Sequence, residues 1–318
     1  MDSPIAANYS ETKIKAEYTF SEWLNAVYEL GKPKVLSLLL VSTACPMLLA
    51  SGGRIDFMSI VWTIIGGSLV SSSASVINCI WDMDIDKIMS RTQKRPLVTG
   101  ILTPTFAAGY ALVLGISGVL VLAMLLNPLS AALALFGHLF YVFIYTVWLK
   151  RSTPQNIVIG GAAGAIPPLV GWAAVTNSIE LPGILMFLLV FLWTPPHFWA
   201  LALNKNGDYR KANIPMLPVI AGERVTHLQM LMYALAMIPT SILLVLSDSN
   251  YSIWSLLIYL MSGFYFAKII YDLFKLGQQV STPELTERKT KLCWRIFGFS
   301  IVYLIIIFFA MVLDTLVI

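Results

Sequence analysis

Three polar side chains recur at four-residue intervals where a long apolar stretch of the chain ends: Asn78, Asp82 and Asp86. A four-residue step on an α-helix turns by about 400°, so these side chains would follow one helix face with about 40° of drift per step. Hard divalent cations such as Mg²⁺ prefer oxygen ligands and often share them with substrate phosphates. The spacing therefore predicts a metal site at this helix end.

Basic residues are concentrated directly after these carboxylates. Lys87, Arg91, Lys94 and Arg95 lie within a single short stretch. Basic side chains bind phosphate oxygens through charge-assisted hydrogen bonds. Carboxylates that hold a metal, next to bases that bind phosphate, indicate a site for a metal–diphosphate group. The alternative interpretation is an ordinary charged helix end at a membrane surface.

A second polar set lies much later in the chain. His197, Asn204 and Asp208 are spaced seven and four residues apart, close to one helical face, and Arg210 and Lys211 follow them. The Asn–Asp pair repeats the spacing of the first pair. Two such pairs favour two facing halves of one site, because diphosphate chemistry readily uses more than one metal ion. A duplicated helical unit with ordinary helix caps would leave the same pattern.

The composition identifies the setting of these residues. Hydrophobic residues make up 58% of the chain and charged residues 12%, whereas an average soluble domain is about 25% charged. Three well-separated cysteines suggest neither a disulfide framework nor a thiolate metal site. We predict an all-α polytopic membrane protein, because nine apolar windows are long enough for transmembrane helices: 34–51, 57–80, 104–125, 128–148, 155–176, 182–203, 226–246, 252–275 and 294–316.

The basic residues are distributed asymmetrically about these nine segments. With a cytoplasmic N-terminus, all of the 21 Lys and Arg residues except Arg54 fall in the N-terminal arm or at cytoplasmic loops and helix ends. The positive-inside rule favours this orientation. Both polar sets then lie on the cytoplasmic side, which we expect to be the active face. Basic residues in short loops between apolar segments are no nucleic-acid signal.

We divide the chain into a cytoplasmic N-terminal arm, 1–31, and an intramembrane domain, 32–318. In the arm, Trp23, Val27 and Leu30 follow near-helical spacing, which predicts a short amphipathic helix at the bilayer interface. Neither a signal peptide nor an Arg-rich mitochondrial presequence is indicated. This favours a bacterial plasma membrane over a mitochondrial inner membrane.

Several further motifs resemble the UbiA-type intramembrane prenyltransferases, and the resemblance extends from Lys32 to the last apolar segment. The family mark is NxxxDxxxD at 78–86. More specific marks are DxDxxMxRTxxRPL at 84–97, TPPHFWALAL at 194–203 and IPMLP at 214–218, which resemble the members that act on protohaem. One departure is Asn204, where many family members carry an aspartate.

The resemblance implies a helical bundle around a central cavity open to the cytoplasmic side, with Mg²⁺ as cofactor. It implies transfer of a farnesyl group from farnesyl diphosphate to the vinyl group of protohaem IX (haem B), with addition of water, to give haem O. It also implies delivery of the product to a haem A synthase or to terminal oxidase assembly. Ionisation of an allylic diphosphate needs electrostatic stabilisation and no serine or cysteine nucleophile.

Roles for individual residues follow as hypotheses. We expect catalysis and metal binding at the two polar sets, Asn78, Asp82, Asp86, Asn204 and Asp208. We expect substrate binding by Arg91, Lys94, Arg95, Lys150, Arg151 and Arg210, together with Asn204. His197 is the candidate for contact with the porphyrin, either as an iron ligand or through a propionate.

The glycines of the fifth apolar segment have two interpretations. Gly160 and Gly164 form a small-xxx-small face, which favours close helix packing. Pro167 and Pro168 are expected to break this helix, and the break could instead shape a cavity wall.

Three other functions are compatible with parts of the sequence. A family member with an aromatic or quinone-type acceptor would share the first motif, but is not expected to carry TPPHFWALAL. A CDP-alcohol phosphotransferase would show a longer Asp-x-x-Asp-Gly-x-x-Ala-Arg pattern, which is not present. A secondary transporter would place polar groups near the middle of the bilayer, whereas here the acidic groups cluster at the cytoplasmic end.

Overall fold

The structure is a computed structural model that describes residues 18–54, 56–247, 252–280 and 282–317. The regular structure of these residues is helical. The ten main helices are α1 (Phe20–Leu30), α2 (Pro33–Ala50), α3 (Phe57–Trp81), α4 (Pro104–Leu125), α5 (Pro128–Ser152), α6 (Asn156–Thr176), α7 (Leu181–Asn204), α8 (Gly222–Leu246), α9 (Ile253–Gly277) and α10 (Pro283–Val317). Short helical turns occupy Met83–Asp86, Pro96–Thr99, Asn206–Lys211 and Leu217–Ile220.

Within the described residues, eight helices, α3 to α10, are long and apolar enough to cross a membrane, and α2 adds a shorter apolar stretch, Leu36–Ala50. Each predicted apolar window coincides with one of α2 to α10. The prediction of an all-α multi-pass membrane protein is therefore confirmed. The largest boundary error is at α10, which begins at Pro283 instead of residue 294. The first turns of α10 contain charged residues, so the length of the apolar window predicted only the remainder of this helix.

Helix α1 confirms the short amphipathic helix expected near the N-terminus. Thr19 caps it, accepting a hydrogen bond from the Glu22 amide while the Glu22 carboxylate accepts one from the Thr19 amide. Ala26 and Leu30 are buried, and the Trp23 ring packs edge-on against Phe106 of α4. Residues 1–17 of the predicted arm lie outside the described residues.

Small residues allow the membrane helices to approach closely. A Cβ atom at Gly66 of α3 would lie 2.7 Å from the Leu122 side chain of α4. At Gly171 of α6, a Cβ would lie 2.0 Å from the backbone oxygen of Thr43 in α2. Transmembrane helices associate through such small-residue contacts, because lipid supplies no hydrophobic driving force between them.

Two glycines of α6 have different roles although they lie one turn apart. A Cβ at Gly160 would lie 2.2 Å from the Tyr145 ring, so this glycine serves close packing, as predicted. A Cβ at Gly164 would meet no atom within 4 Å, and Gly164 lines the central cavity. The expected helix break at Pro167 and Pro168 is wrong, because α6 continues through both residues. Such prolines are tolerated inside a membrane bundle.

Helix α5 changes its winding towards the end that bears the polar sets. After a regular α-helical portion, Phe140–Leu149 forms a π-helix, which the sequence pattern did not predict. Tyr141 and Tyr145 of this stretch line the cavity, with ring centroids 5.3 Å apart. Thr146 accepts a hydrogen bond from the Asn78 amide nitrogen of α3. π-Helical turns are rare and often mark functional sites.

Replacing Gly171 with Ala should destabilise the protein, because the added methyl group must displace the α2 backbone at Thr43. We expect a loss of about 1–3 kcal/mol, the usual cost of overpacking. The matched control is Gly109→Ala in α4, where a Cβ would meet no atom within 4 Å. Thermal unfolding in detergent should show a lower midpoint for the first variant alone; equal midpoints would contradict the close α2–α6 contact.

Candidate active site

A cavity of about 420 Å³ lies inside the bundle, within the size range of small-molecule sites. Among the described residues, its walls come from α2, α3, α5, α6 and α7, and from the segments that follow α3 and α7. Most of the wall is apolar, including Val70, Ala134, Ile166 and Val170. Polar groups are concentrated at the end where α3 terminates. The cavity therefore suits an amphipathic ligand with a charged head and an apolar chain.

The polar end of the cavity carries an excess of positive charge. The carboxylates there are Asp82, which is fully buried behind the wall, and Asp86, which contributes to the wall. The cations that line the wall are Lys32, Arg91, Arg95 and Lys150. Four cations against two carboxylates provide an environment for an anion with more than one negative charge.

Asp82 lies at the centre of a buried network. The Asn78 amide nitrogen donates to Asp82 Oδ2 at 2.7 Å, and Lys150 Nζ forms an ion pair with the same oxygen. Lys32 Nζ donates to Asn78 Oδ1 at 2.9 Å. The other carboxylate oxygen, Asp82 Oδ1, is buried without a hydrogen-bond partner. The guanidinium of Arg151 lies 3.6 Å from this oxygen.

The prediction that Asn78, Asp82 and Asp86 follow one helix face is only half correct. The bond from Asn78 to Asp82 confirms its first step. Helix α3 ends at Trp81, and Asp82 has a distorted backbone, so Asp86 belongs to the separate turn Met83–Asp86. There the Asp86 carboxylate pairs with Arg95 at 2.5 Å. The expectation of one regular helical face is therefore wrong at its second step.

Arg151 stabilises the end of α3 instead of facing the cavity. Its guanidinium donates to both carboxylate oxygens of Asp84 at 2.7 Å, and to the backbone oxygen of Trp81 at 3.0 Å. The hydrogen bonds from Arg151 lower the pKa of Asp84. The bidentate contact holds the guanidinium in place, and its hydrogen bond to Trp81 satisfies one of the carbonyl groups left free at a helix C-terminus.

The second polar set meets the first through the segment after α3. Ser90 Oγ donates to Asp208 Oδ2 at 2.6 Å, and Arg91 hydrogen-bonds Tyr209. Helix α7 ends at Asn204, and Asp208 lies in the turn Asn206–Lys211. His197, Asn204 and Asp208 therefore do not share one regular helical face, contrary to the expectation. The amide nitrogen of Asn204 is buried without a hydrogen-bond partner.

The structure brings half of the expected site residues to the cavity wall. Those that line it are Asn78, Asp86, Arg91, Arg95, Lys150 and His197. Those that do not are Asp82, Lys94, Arg151, Asn204, Asp208 and Arg210. Of this second group, Asp82 accepts a hydrogen bond from the wall residue Asn78. Asn204 and Asp208 lie close in the chain to the wall residues Leu201 and Tyr209. Lys94 and Arg210 are exposed.

Lys32, Tyr141, Tyr145 and Tyr209 also line the cavity, although none of them was among the expected site residues. Lys32 begins the stretch of family resemblance, so its position was a usable signal. Its backbone has φ of 54°, a left-handed conformation that is uncommon for residues other than glycine. Burial lowers the pKa of Lys32 to about 8. Tyr145 and Tyr209 belong to stretches that carry the family resemblance, whereas Tyr141 carried no signal, because aromatic residues are frequent throughout the apolar segments.

The donor set is compatible with Mg²⁺ only if the ligand supplies oxygens as well. Among the described residues, no three His, Cys, Asp or Glu side chains converge closely enough to hold a metal ion. Mg²⁺ is commonly bound by one or two carboxylates, several waters and substrate phosphates. Asp86 on the wall and the unpartnered Oδ1 of buried Asp82 meet this requirement.

His197 is held rigidly farther along the cavity wall. Its ring stacks between Trp193 and Phe297, with centroid distances of 4.3 and 4.5 Å. Its Nδ1 lies 2.7 Å from Ser300 Oγ, and the Ser300 hydroxyl donates to the backbone oxygen of Phe297 at 2.6 Å. Both contacts are satisfied when the Ser300 hydroxyl donates to Phe297 and Nδ1 of His197 donates to Ser300. The neutral ring then carries its lone pair on Nε2.

The match to a family model covers residues 38–286 and identifies the UbiA prenyltransferase family. The chain belongs to the UbiA prenyltransferase family. The matched range contains both polar sets and all but the first residues of the cavity wall. The family resemblance noted in the sequence is thereby confirmed.

Relatives of known name agree with this assignment, and two solved structures share the fold. A protoheme IX farnesyltransferase of Synechocystis sp. is 45% identical over 96% of this chain and 94% of its own length. One from Symbiobacterium thermophilum is 45% identical over 90% and 92%, respectively. A digeranylgeranylglyceryl phosphate synthase structure has a TM-score of 0.75 at 19% identity, covering 93% of this chain and all of that one. A UbiA homologue from Archaeoglobus fulgidus bound to GPP and Mg²⁺ has a TM-score of 0.62 at 14% identity, covering 88% and 99%.

Removing Arg95 should destabilise the protein, because Asp86 would keep a buried charge without its partner. We expect Arg95→Met to cost about 3 kcal/mol. Lys94→Met is the matched control, since Lys94 is exposed and has no ion pair among the described residues, and it should change stability by less than about 0.5 kcal/mol. Thermal unfolding of both variants in one detergent tests the difference; similar midpoints would contradict a structural role for the Asp86–Arg95 pair.

Proposed function

We propose that this protein transfers the farnesyl group of farnesyl diphosphate to a vinyl group of protohaem IX, with addition of water, to give haem O. The observation that carries the proposal is one cavity with cations and carboxylates at one end and an apolar wall beyond. The names of eight relatives at 41–49% identity support the acceptor, because all are protoheme IX farnesyltransferases.

The diphosphate belongs at the polar end of the cavity. Arg91 and Lys32 line this end and are not paired with carboxylates there, so they can contact phosphate oxygens directly. Asp82, Asp86 and Asn78 are the proposed Mg²⁺ ligands, with Asn204 and Asp208 approaching from the second polar set. When bound, Mg²⁺ would neutralise part of the diphosphate charge and so favour its departure.

The same residues explain why the allylic C–O bond can break. Its electron pair leaves with the diphosphate, and fixed cations stabilise the charge that develops on the leaving group. Lys150 and Arg95 lie beside the carboxylates and supply this charge without large rearrangement. The hydrogen bonds of Arg151 to Asp84 and Trp81 hold the end of α3 in place. Lys150 and Arg95 are positioned against this end.

The allylic cation that forms must be protected from water until the acceptor reacts. Tyr141 and Tyr145 stand between the charged end and the apolar wall, and their rings offer electron-rich faces. Farther in, Gly164 and neighbouring small residues leave room for the isoprenoid chain. The farnesyl carbon then bonds to the terminal vinyl carbon, and water adds to the inner carbon with loss of a proton.

The geometry of His197 favours iron ligation over a propionate contact. A propionate carboxylate requires a hydrogen-bond donor, but the bond to Ser300 leaves Nε2 as an acceptor. A neutral imidazole nitrogen is a common ligand for haem iron. The hydrogen bond from Nδ1 to Ser300 is the kind of supporting contact that orients a metal-binding histidine.

The membrane setting completes the proposal. Eight long apolar helices in a UbiA family member establish a multi-pass membrane protein. We propose that the polar end of the cavity faces the cytoplasm of a bacterial cell, because nearly all basic residues of the sequence fall in the N-terminal arm or in the loops and helix ends assigned to the cytoplasmic side. Release of haem O from within the bilayer would suit a membrane-bound acceptor such as a haem A synthase or an assembling terminal oxidase.

The decisive experiment is a reconstituted assay with purified protein, farnesyl diphosphate, protohaem and Mg²⁺. A haem product heavier by a farnesyl group plus water, formed only with Mg²⁺, would support the proposal. Transfer to a phenolic or quinone precursor but not to protohaem would replace the acceptor and keep the prenyl transfer. No transfer to any acceptor by a folded protein would overturn the proposed function.

Replacing Asp86 with Asn should reduce farnesyl transfer by at least about a hundredfold, the scale of losing one electrostatic group from a transition state. Glu29→Gln is the control, since Glu29 is exposed, does not line the cavity and has no ion pair among the described residues. Initial rates over a Mg²⁺ titration measure both variants. Comparable rates for the two would remove Asp86 from the metal site.

Replacing His197 with Ala should abolish the absorbance change of ferric protohaem on binding, because the Nε2 ligand is lost. Binding of farnesyl diphosphate should stay within about twofold, since His197 lies away from the charged end. The control is His227→Gln, a buried histidine that does not line the cavity. If His197→Ala retains the wild-type haem spectrum, iron ligation by this residue is wrong.

A further inference from the structure

A second pocket lies on the outside of the bundle, between the end of α9 and the beginning of α10. Its volume is about 540 Å³, and it shares no residue with the central cavity. Four of its eight lining residues are basic: Lys275, Arg288, Lys291 and Arg295. Lys289 of α10 pairs with Glu223 at the start of α8, so the pocket lies at the same end of the bundle as the active site.

The cations of this pocket are poorly neutralised by the protein. The one acidic residue in its wall, Asp272, already pairs with Lys268. Lys291 pairs with Glu287 of its own helix, and that pair is largely exposed. Within the described part of the chain, Lys275 and Arg288 have no carboxylate partner. The pocket therefore presents a concentrated positive charge that the fold does not use.

The surroundings of the pocket place it at the level of lipid headgroups. Arg295 donates to the Tyr265 hydroxyl at 2.5 Å, and Lys275 lies 4.9 Å from the centre of the Tyr271 ring. Together with exposed Trp294, these tyrosines form the aromatic belt typical of a membrane–water interface. Farther along the same two helices, the exposed side chains are apolar: Met261, Phe264, Val302 and Ile305.

We propose that this pocket binds one anionic phospholipid, with its phosphate among the four cations and its acyl chains along the outer faces of α9 and α10. Basic pockets between transmembrane helices on the cytoplasmic side are suited to anionic headgroups. Leu276 and Leu292 form the apolar part of the pocket wall and can contact the glycerol and the first methylene groups. A soluble anion would satisfy the cations but not these apolar contacts.

The test compares purified full-length protein in detergent with added phosphatidylglycerol, with phosphatidylcholine of the same acyl chains, or with inorganic phosphate. The double variant Lys275→Gln/Arg288→Gln removes the two unpaired cations. Arg54→Gln/Arg224→Gln removes two exposed cations elsewhere and serves as the matched control. Thermal unfolding and lipid retention in native mass spectrometry are the two measurements.

We expect phosphatidylglycerol to raise the unfolding midpoint of the unchanged protein and of the control by about 5 °C at saturation. The pocket variant should show less than half of this shift. Its affinity for phosphatidylglycerol should fall about thirtyfold, at about fivefold per cation removed. Native mass spectrometry should show one phosphatidylglycerol molecule retained per chain in the unchanged protein and in the control, but none in the pocket variant. This result would support the proposal.

Three outcomes would overturn the proposal: an equal shift with phosphatidylcholine, an equal shift with inorganic phosphate, or a full shift in the pocket variant. Should that variant fail to fold, a photoreactive phosphatidylglycerol can be cross-linked to the unchanged protein. Cross-links concentrated in 261–279 and 288–305 would support the pocket, and an even distribution over the membrane helices would overturn it.

Discussion

The structure of the active-site end depends on keeping two carboxylates charged inside a membrane protein. Asp82 is fully buried and Asp86 is 3% exposed, and a buried carboxylate without a partner would cost several kcal/mol. Lys150, from the end of α5, and Arg95, from the segment after α3, supply the opposite charges. These pairs fix three chain segments relative to one another, so the cavity mouth owes its shape to charge compensation as well as to helix packing.

Apolar length and charge asymmetry were enough to predict the helices and the end of the bundle that carries the site. They could not predict where α3 stops, because that depends on Arg151, which contacts Asp84 and Trp81 from far along the chain. The π-helix of α5 was equally hidden, since no residue type distinguishes it. Gly160 and Gly164 both line the cavity, but only Gly160 is packed closely against a neighbouring helix, a difference that the sequence does not show.

In the proposed function, different parts of the cavity wall bind the diphosphate and select the acceptor. The cationic end with Asp82 and Asp86 corresponds to the shared NxxxDxxxD motif and is the proposed diphosphate site. His197 lies elsewhere on the wall, stacked between Trp193 and Phe297 and oriented by Ser300 of α10. In the proposed function, side chains near α7 and α10 select the acceptor, so a change of acceptor would need few substitutions within the same fold.

The ion pairs of Lys150 with Asp82 and of Arg95 with Asp86 also have a thermodynamic consequence for the proposed binding of metal and diphosphate. Each carboxylate that turns to a metal ion releases a basic side chain, which becomes available to phosphate oxygens. Each phosphate that attracts a basic side chain releases a carboxylate. The two binding events must therefore strengthen each other, and by linkage each raises the affinity for the other by the same factor. The ion pairs therefore make binding at the cavity mouth cooperative: metal and diphosphate bind more tightly together than either one binds alone.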